Sequence, residues 1–200
     1  MRYTVRSSMI LIILVFSCGD GYRTIKEYND DGKLSRKFHV DQDSIVQGTL
    51  LSYYDNGQDI FEKASYVDGQ LEGKRILYFE NGQPEIIEHY TSDILSDTLY
   101  LFYLSGALKM TSYYKNGIHT GINTVYYESG SIKEEVRFHN NEEQGPFIEY
   151  HPNGQVHWTG QYLNGENEYG ELIQYDSTGQ MIKKMMCDSL AICKTVWPEA

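Results

Sequence analysis

Seven glycines keep an almost constant interval along this chain: Gly32, Gly57, Gly82, Gly106, Gly130, Gly154 and Gly179 are spaced 25, 25, 24, 24, 24 and 25 residues apart. Each has an aromatic residue four positions earlier: Tyr28, Tyr53, Tyr78, Phe102, Tyr126, Tyr150 and Tyr175. A fixed period of this length means that one supersecondary unit is repeated and stacked. A second glycine set, Gly48, Gly73, Gly121, Gly145 and Gly170, runs at the same period with Asp97 in the vacant slot. Each repeat is therefore expected to have two turn points.

The unit reads as a β-hairpin. Asp55-Asn56-Gly57, Glu80-Asn81-Gly82 and Pro152-Asn153-Gly154 place Asn then Gly where a tight turn needs positive φ. Two strands of about five or six residues and two turns use up the period and leave no room for a helix. Eighteen Tyr and eighteen Gly against four Pro fit many short strands. The expected fold is all-β: tandem β-hairpin repeats, about seven of them, forming an elongated twisted antiparallel sheet of about 14 strands, roughly 65 Å long at about 4.8 Å per strand. Such an array needs polar ends. The first repeat supplies one with Lys26 and the charged turn Asp30-Asp31-Gly32, and residues 183–200 break the period at the other.

Alternation along each strand sorts the side chains into two faces. Positions six and four before each glycine pair Leu51 with Tyr53, Ile76 with Tyr78, Tyr100 with Phe102, and Ile148 with Tyr150. That nearly apolar row is the expected core. The position three before each glycine reads Asn29, Tyr54, Phe79, Tyr103, Tyr127, His151 and Asp176 on the opposite face. Its aromatic members, Tyr54, Phe79, Tyr103 and Tyr127, are the candidate binding face, because a row of rings gives a sugar or an extended peptide contact area at low entropy cost. A single-layer sheet that curls would cover the row instead.

The N-terminus carries a different signal. Arg2 and Arg6 precede an apolar run from Met9 to Phe16, too short for the roughly 20 residues of a spanning helix. Residues 1–17 are expected to be a cleaved lipoprotein signal peptide, 18–182 the repeat domain and 183–200 a C-terminal cap or tail. Val15-Phe16-Ser17-Cys18 resembles a bacterial lipobox, although Phe16 is bulkier than the usual residue there. The resemblance implies lipidation of Cys18, whose acyl chains suffice for stable membrane attachment. It also implies a lipid-anchored place in a bacterial cell envelope, at the outer membrane or cell surface before the inner membrane. Removing two arginines leaves 15 Lys+Arg against 28 Asp+Glu, a change from −11 to −13.

The repeat, typified by Tyr126-Tyr127-Glu128-Ser129-Gly130-Ser131-Ile132, resembles the bacterial variant of the MORN repeat over about residues 22–182. Tandem copies of that repeat form β-hairpin sheets. The resemblance brings no catalytic residues and implies a binding or scaffolding surface. Bacterial chains of this kind are often grouped with antitoxins of toxin–antitoxin systems, which gives the alternative of an antitoxin or immunity-like protein.

Composition and motifs narrow the chemistry further. A net charge of −11 excludes a nucleic-acid partner, which needs clustered cations, and suits a basic protein partner in the antitoxin alternative. No phosphate loop, G-x-S-x-G or H-E-x-x-H occurs, so the protein is expected to be no enzyme, with no cofactor and no catalytic residues. A glycan-cleaving activity using Glu80, Glu128, Glu134 or Glu149 is the least favoured reading, since these carboxylates follow the repeat rather than a cleft. His151 and His157 fall on neighbouring strands, but no Cys or carboxylate cluster joins them at ligand spacing, so no metal is expected. With Cys18 assigned to lipid, Cys187 and Cys193 are left as an even pair, and a disulfide closing the C-terminal cap is expected in an exported chain. The expected partners are the membrane, through the N-terminal lipid, and a protein or glycan.

Overall fold

The computed structural model describes residues 11–16, 21–165 and 167–198. Among them every named element is a β-strand. The chain divides into two compact units between Ile94 and Leu95. In the first unit β1 (Leu11–Phe16), β2 (Arg23–Tyr28), β3 (Leu34–Val40), β4 (Val46–Tyr53), β5 (Ile60–Val67), β6 (Gln70–Tyr78) and β7 (Pro84–Thr91) follow in order, each antiparallel to the next. The two-residue strand β8 (Ile94–Leu95) lies at the division. The second unit runs through β9 (Asp97–Phe102), β10 (Leu108–Lys115), β11 (Ile118–His119), β12 (Gly121–Tyr126), β13 (Ile132–His139), β14 (Glu142–Tyr150), β15 (Val156–Tyr162), β16 (Gly170–Tyr175), β17 (Met181–Cys187) and β18 (Cys193–Trp197). Its strands also pair antiparallel in sequence order, with β10 meeting both β11 and β12. This is the expected class, all-β tandem hairpins. Several strands are longer than expected, reaching nine residues in β6 and β14.

The periodic glycines close the hairpins. Gly57 N–H donates to the Tyr54 carbonyl and Gly130 N–H to the Tyr127 carbonyl, both at 2.8 Å. Gly57 and Gly130 hold φ of +72° and +91°, a left-handed conformation that glycine reaches at no steric cost. The Asn before the glycine does not share it. Asn56 caps the turn instead, its Oδ1 accepting the N–H groups of Gln58 at 2.9 Å and Asp59 at 3.0 Å. A register shift follows each turn, as in β4–β5 and β12–β13; in β12–β13, where the Tyr127 N–H donates to the Ser131 carbonyl, this is the three-residue hairpin loop with a bulge, and in β4–β5, closed from Tyr54 to Asp59, the loop is one residue longer.

The second glycine set corrects an expectation. Gly48, Gly73 and Gly145 lie inside β4, β6 and β14, at register shifts against the preceding strand. They are bulges, not turns. The reversals come earlier, at Asp68-Gly69, Asn116-Gly117 and Asn164-Gly165, where both residues have positive φ as a two-residue primed turn requires. Bulges and primed turns both need positive φ, so glycine alone does not tell them apart.

The core face is also corrected. Ile25, Phe147 and Leu172 stand seven before their glycines, on the same face as the ladder and not on the row expected to be core. Cross-strand pairing extends this buried line: Val136 sits opposite both Asn123 and Phe147, and Ala64 opposite Leu50 and Arg75. Tyr53, Tyr78, Phe102 and Tyr150, on the expected core row, are half-buried. A lone sheet layer buries most deeply the side chains on the face toward which it twists and bends, and each bulge adds to that bending. In the second unit the line becomes an apolar cluster of Val136, Phe147, Leu172 and Cys187, with Phe138, Trp158, Tyr162 and Met185 packed around it.

Candidate functional site

The ladder residues are half-buried, and three of them reach into the following repeat. Tyr54 donates its hydroxyl to the Tyr78 carbonyl at 2.5 Å, Tyr103 to Tyr126 at 2.7 Å and Tyr127 to Tyr150 at 2.7 Å. His151 makes the equivalent contact, with Nε2 3.0 Å from the Tyr175 carbonyl. Phe79 has no hydroxyl to donate. At the two ends of the series the side chain is short and caps its own turn. Asn29 Oδ1 accepts from the Lys33 N–H at 2.9 Å, and Asp176 Oδ1 accepts from Thr178 at 2.9 Å and Gln180 at 3.0 Å. The tyrosine and histidine rungs link neighbours, and the end rungs cap their own turns.

A cleft of about 500 Å³ opens beside the first aromatic rung, lined by Tyr53, Tyr54, Asp55, Asn56, Phe61 and Glu80. The Tyr54 and Phe61 rings meet edge to face at 5.3 Å. Burial, then the charges of Glu80 and Glu85, raise the Tyr54 pKa and keep its hydroxyl a donor. In the second unit Lys109 Nζ lies 5.6 Å from the centre of the Tyr103 ring, a cation–π distance.

A second cleft, of about 530 Å³, lies at the other end of the first hairpins and was not legible in the repeat pattern. Tyr22, Thr24, His39, Gln47, Tyr66 and Val67 line it. Thr24 and His39 are register partners, as are His39 with Gln47 and Gly48 with Tyr66. The lining therefore crosses four successive strands. No single column of the repeat contains these residues, so periodicity gave no signal for them.

One cation of the first unit is held between two carboxylates. Arg75, opposite Ala64 and Glu88, binds Glu62 at 2.5 Å and Glu88 at 2.9 Å. Ser52 donates to Glu62 at 3.0 Å, and Tyr90 to Glu88 at 3.2 Å. Burial opposes the Arg75 charge, but the hydrogen bonds and charges of Glu62 and Glu88 outweigh it and raise the pKa above its ordinary value. These carboxylates hold a cation in the sheet.

Among the carboxylates considered for hydrolysis, Glu134 and Glu149 stand directly opposite across β13 and β14. Burial, then the Glu149 charge, raises the Glu134 pKa. His157 Nδ1 is 3.5 Å from Glu149 Oε2, and the His151 and His157 rings are 4.4 Å apart. Glu149 thus meets His157, where the turn bulge brings that residue alongside β14, but among the described residues Glu149, His151 and His157 do not form a ligand cluster. Among the described residues the group of three ligand atoms within 4.8 Å is a different one, Glu168, Cys187 and Cys193. There the two Sγ atoms are 1.97 Å apart and joined, and a disulfide has no thiolate to offer a metal.

Cys18 lies outside the described residues. Leu11–Phe16 of the apolar run before it form β1, paired with β2 from Leu11 opposite Tyr28 to Phe16 opposite Arg23. Among the described residues no helix is long and apolar enough to cross a membrane.

Residues 71–91, 120–140 and 143–164 match the MORN repeat variant. Each MORN segment is one hairpin: β6 with β7, β12 with β13, and β14 with β15, turning at Gly82, Gly130 and Gly154. The rungs Phe79, Tyr127 and His151 fall inside the MORN segments, whereas Tyr54 and Tyr103 repeat the same geometry outside them. No curated protein matches the chain. The MORN repeat indicates a binding or scaffolding module.

Proposed function

We propose that this chain is a non-catalytic binding protein of a bacterial cell envelope, attached to the membrane through lipid on Cys18. The observation that carries the reading is a division of labour among side chains. The groups best suited to chemistry are bound to one another or to backbone, as in Glu62–Arg75–Glu88 and the ladder hydroxyls, while the first unit leaves two open clefts bearing exposed aromatic or apolar groups. Open concavities of several hundred Å³ that combine aromatic faces with polar groups suit ligand binding. Tyr54, the first aromatic rung, borders one of them, so the ladder contributes to recognition there while it also ties repeats together.

Processing before Cys18 removes β1 and leaves β2 as the edge of its unit. Metabolic fatty-acid labelling with membrane fractionation, comparing the native chain with Cys18→Ala, tests the anchor. A labelled, membrane-bound native protein and an unlabelled variant are expected. A soluble, unlabelled native protein that retains residues 1–17 overturns the localisation.

The net charge of −11 favours one second reading, an antitoxin that masks a basic toxin. Under that reading deletion of this gene alone is lethal, and viable deletion strains count against it.

A further inference from the structure

The cleft bounded by Tyr22 and Tyr66 carries a more specific reading, which rests on the binding-module function above. Among the described residues its lining has no Asp, Glu, Lys or Arg side chain, although such residues number 45 in the chain, 28 acidic and 17 basic. An ionic ligand would find no counter-charge in that lining, where the neighbouring Asp68 carboxylate is already tied to the Gln47 amide, and its desolvation would be costly. The ligand that fits is neutral.

The lining combines apolar faces with hydrogen-bonding groups. Tyr22 and Val67 are 46% and 51% exposed, unusually open for an aromatic ring and a branched aliphatic side chain at one site. The polar groups between them are held in place from behind. Thr24 Oγ1 lies 3.1 Å from His39 Nδ1, which fixes the imidazole and turns the ligand chemistry over to Nε2. Gln47 is clamped at both ends of its amide: Nε2 donates to Asp68 Oδ1 at 2.8 Å, and Oε1 accepts from the Asp68 N–H at 3.1 Å. That leaves one amide N–H and one carbonyl lone pair for a ligand. Gly48, opposite Tyr66, has no atom within 4 Å of where a Cβ would stand, so the backbone of the cleft is open to close approach. Preset polar groups cost little ordering entropy when a ligand arrives.

A molecule that is uncharged, presents C–H faces to tyrosine rings and carries hydroxyls for imidazole and amide partners is a saccharide. We infer that this cleft binds a neutral saccharide, with Tyr22 and Tyr66 stacking on the sugar faces and His39 and Gln47 hydrogen-bonding its hydroxyls. The volume, about 530 Å³, lies within the roughly 300–1,000 Å³ range of small-molecule sites.

The test uses the full chain and ligand-observed saturation-transfer NMR with four neutral disaccharides: cellobiose, maltose, lactose and chitobiose. Tetraglycine is the uncharged peptide probe and glucuronate the anionic one. At least one disaccharide is expected to bind with Kd below about 1 mM, at least tenfold more tightly than glucuronate. Tyr22→Ala, at an exposed position outside any strand, should weaken it tenfold or more, while Tyr113→Ala, an equally exposed tyrosine in the second unit, should leave it unchanged. Binding of none of the four, binding of tetraglycine in their place, or equal binding by the native chain and Tyr22→Ala overturns the assignment. Such a failure with Cys18 labelling intact removes the saccharide and leaves the anchor standing, whereas lost labelling with binding intact does the reverse.

Discussion

Gly160 in β15 faces Phe147 in β14 with no room for one more carbon: a Cβ at position 160 would stand 2.6 Å from Phe147 Cε1. Leu172 Cγ would be 3.1 Å away on the other side. This glycine is a steric gap rather than a turn. It lets the most buried ring of the second unit lie across the neighbouring strand. Gly160→Ala is therefore expected to destabilise the protein by about 1–3 kcal/mol through overpacking. Phe147→Leu in the same chain should recover part of the loss, and urea unfolding of the two variants checks both.

The Arg75 network makes a different demand. Its side chains are only 27%, 17% and 13% exposed for Arg75, Glu62 and Glu88. Arg75→Met leaves two half-buried carboxylates without their cation and is expected to cost about 2–3 kcal/mol, somewhat below the range for fully buried pairs. The triple replacement Arg75→Met, Glu62→Leu and Glu88→Leu should restore most of that stability. Thermal unfolding at neutral pH distinguishes the two.

His119 and Glu134 give opposite pH behaviour. The His119 ring is stacked between Tyr114 at 4.9 Å and Phe138 at 3.9 Å, and among the described residues its buried Nε2 has no hydrogen-bond partner. Burial lowers its pKa from 6.5. The unfolded chain thus takes up a proton that the folded chain resists, so this contribution is complete above about pH 6.5 and falls as the pH drops. His119→Phe should flatten that part of the stability profile.

At Glu134 the sign reverses. Burial and the Glu149 charge raise its pKa from 4.5, so the folded chain holds the proton longer and stability falls as the pH rises above about 4.5. Glu134→Gln is expected to stabilise the protein at pH 7 and to lose that advantage below pH 4.5. Denaturant midpoints at pH 4 and 7 measure it.

Cys187 is 3% exposed against Val136, Phe147 and Leu172, and its bond to Cys193 closes the last hairpin. Reduction should add 2 Da to the intact mass, one hydrogen per sulfur, and lower stability by about 2 kcal/mol, the low end for a short loop. An unchanged mass under reducing conditions would contradict the bond.

The hairpin array was legible because one requirement recurs: a glycine with positive φ, preceded by a strand that ends in an aromatic. Its details were less so, for physical reasons. Gly48 and Gly73 looked like turns because bulges need the same φ, while Asn140-Asn141 turns with no glycine at all. The core face was assigned from the more apolar row, yet in a single layer the bend of the sheet decides burial, and that bend is set by the bulges. Arg75 and Glu88 occupy the buried line as charges, which hides it from a hydrophobic pattern. The Tyr54 ladder was visible as a row, but its hydroxyl contacts depend on the stagger between repeats. The cleft at Tyr22 and Tyr66 combines unlike positions of successive strands, so no column of the sequence contains it.

The central claim is that the aromatic ladder joins repeat to repeat. Thermal and urea unfolding of Tyr103→Phe/Tyr127→Phe, with Tyr103→Ser/Tyr127→Ser beside it, measures this most directly. Each lost hydroxyl contact should cost about 0.5–1.5 kcal/mol, and loss of both rings several kcal/mol. If both double variants unfold like the native chain, the rings lie on an open surface and the ladder does not hold the sheet.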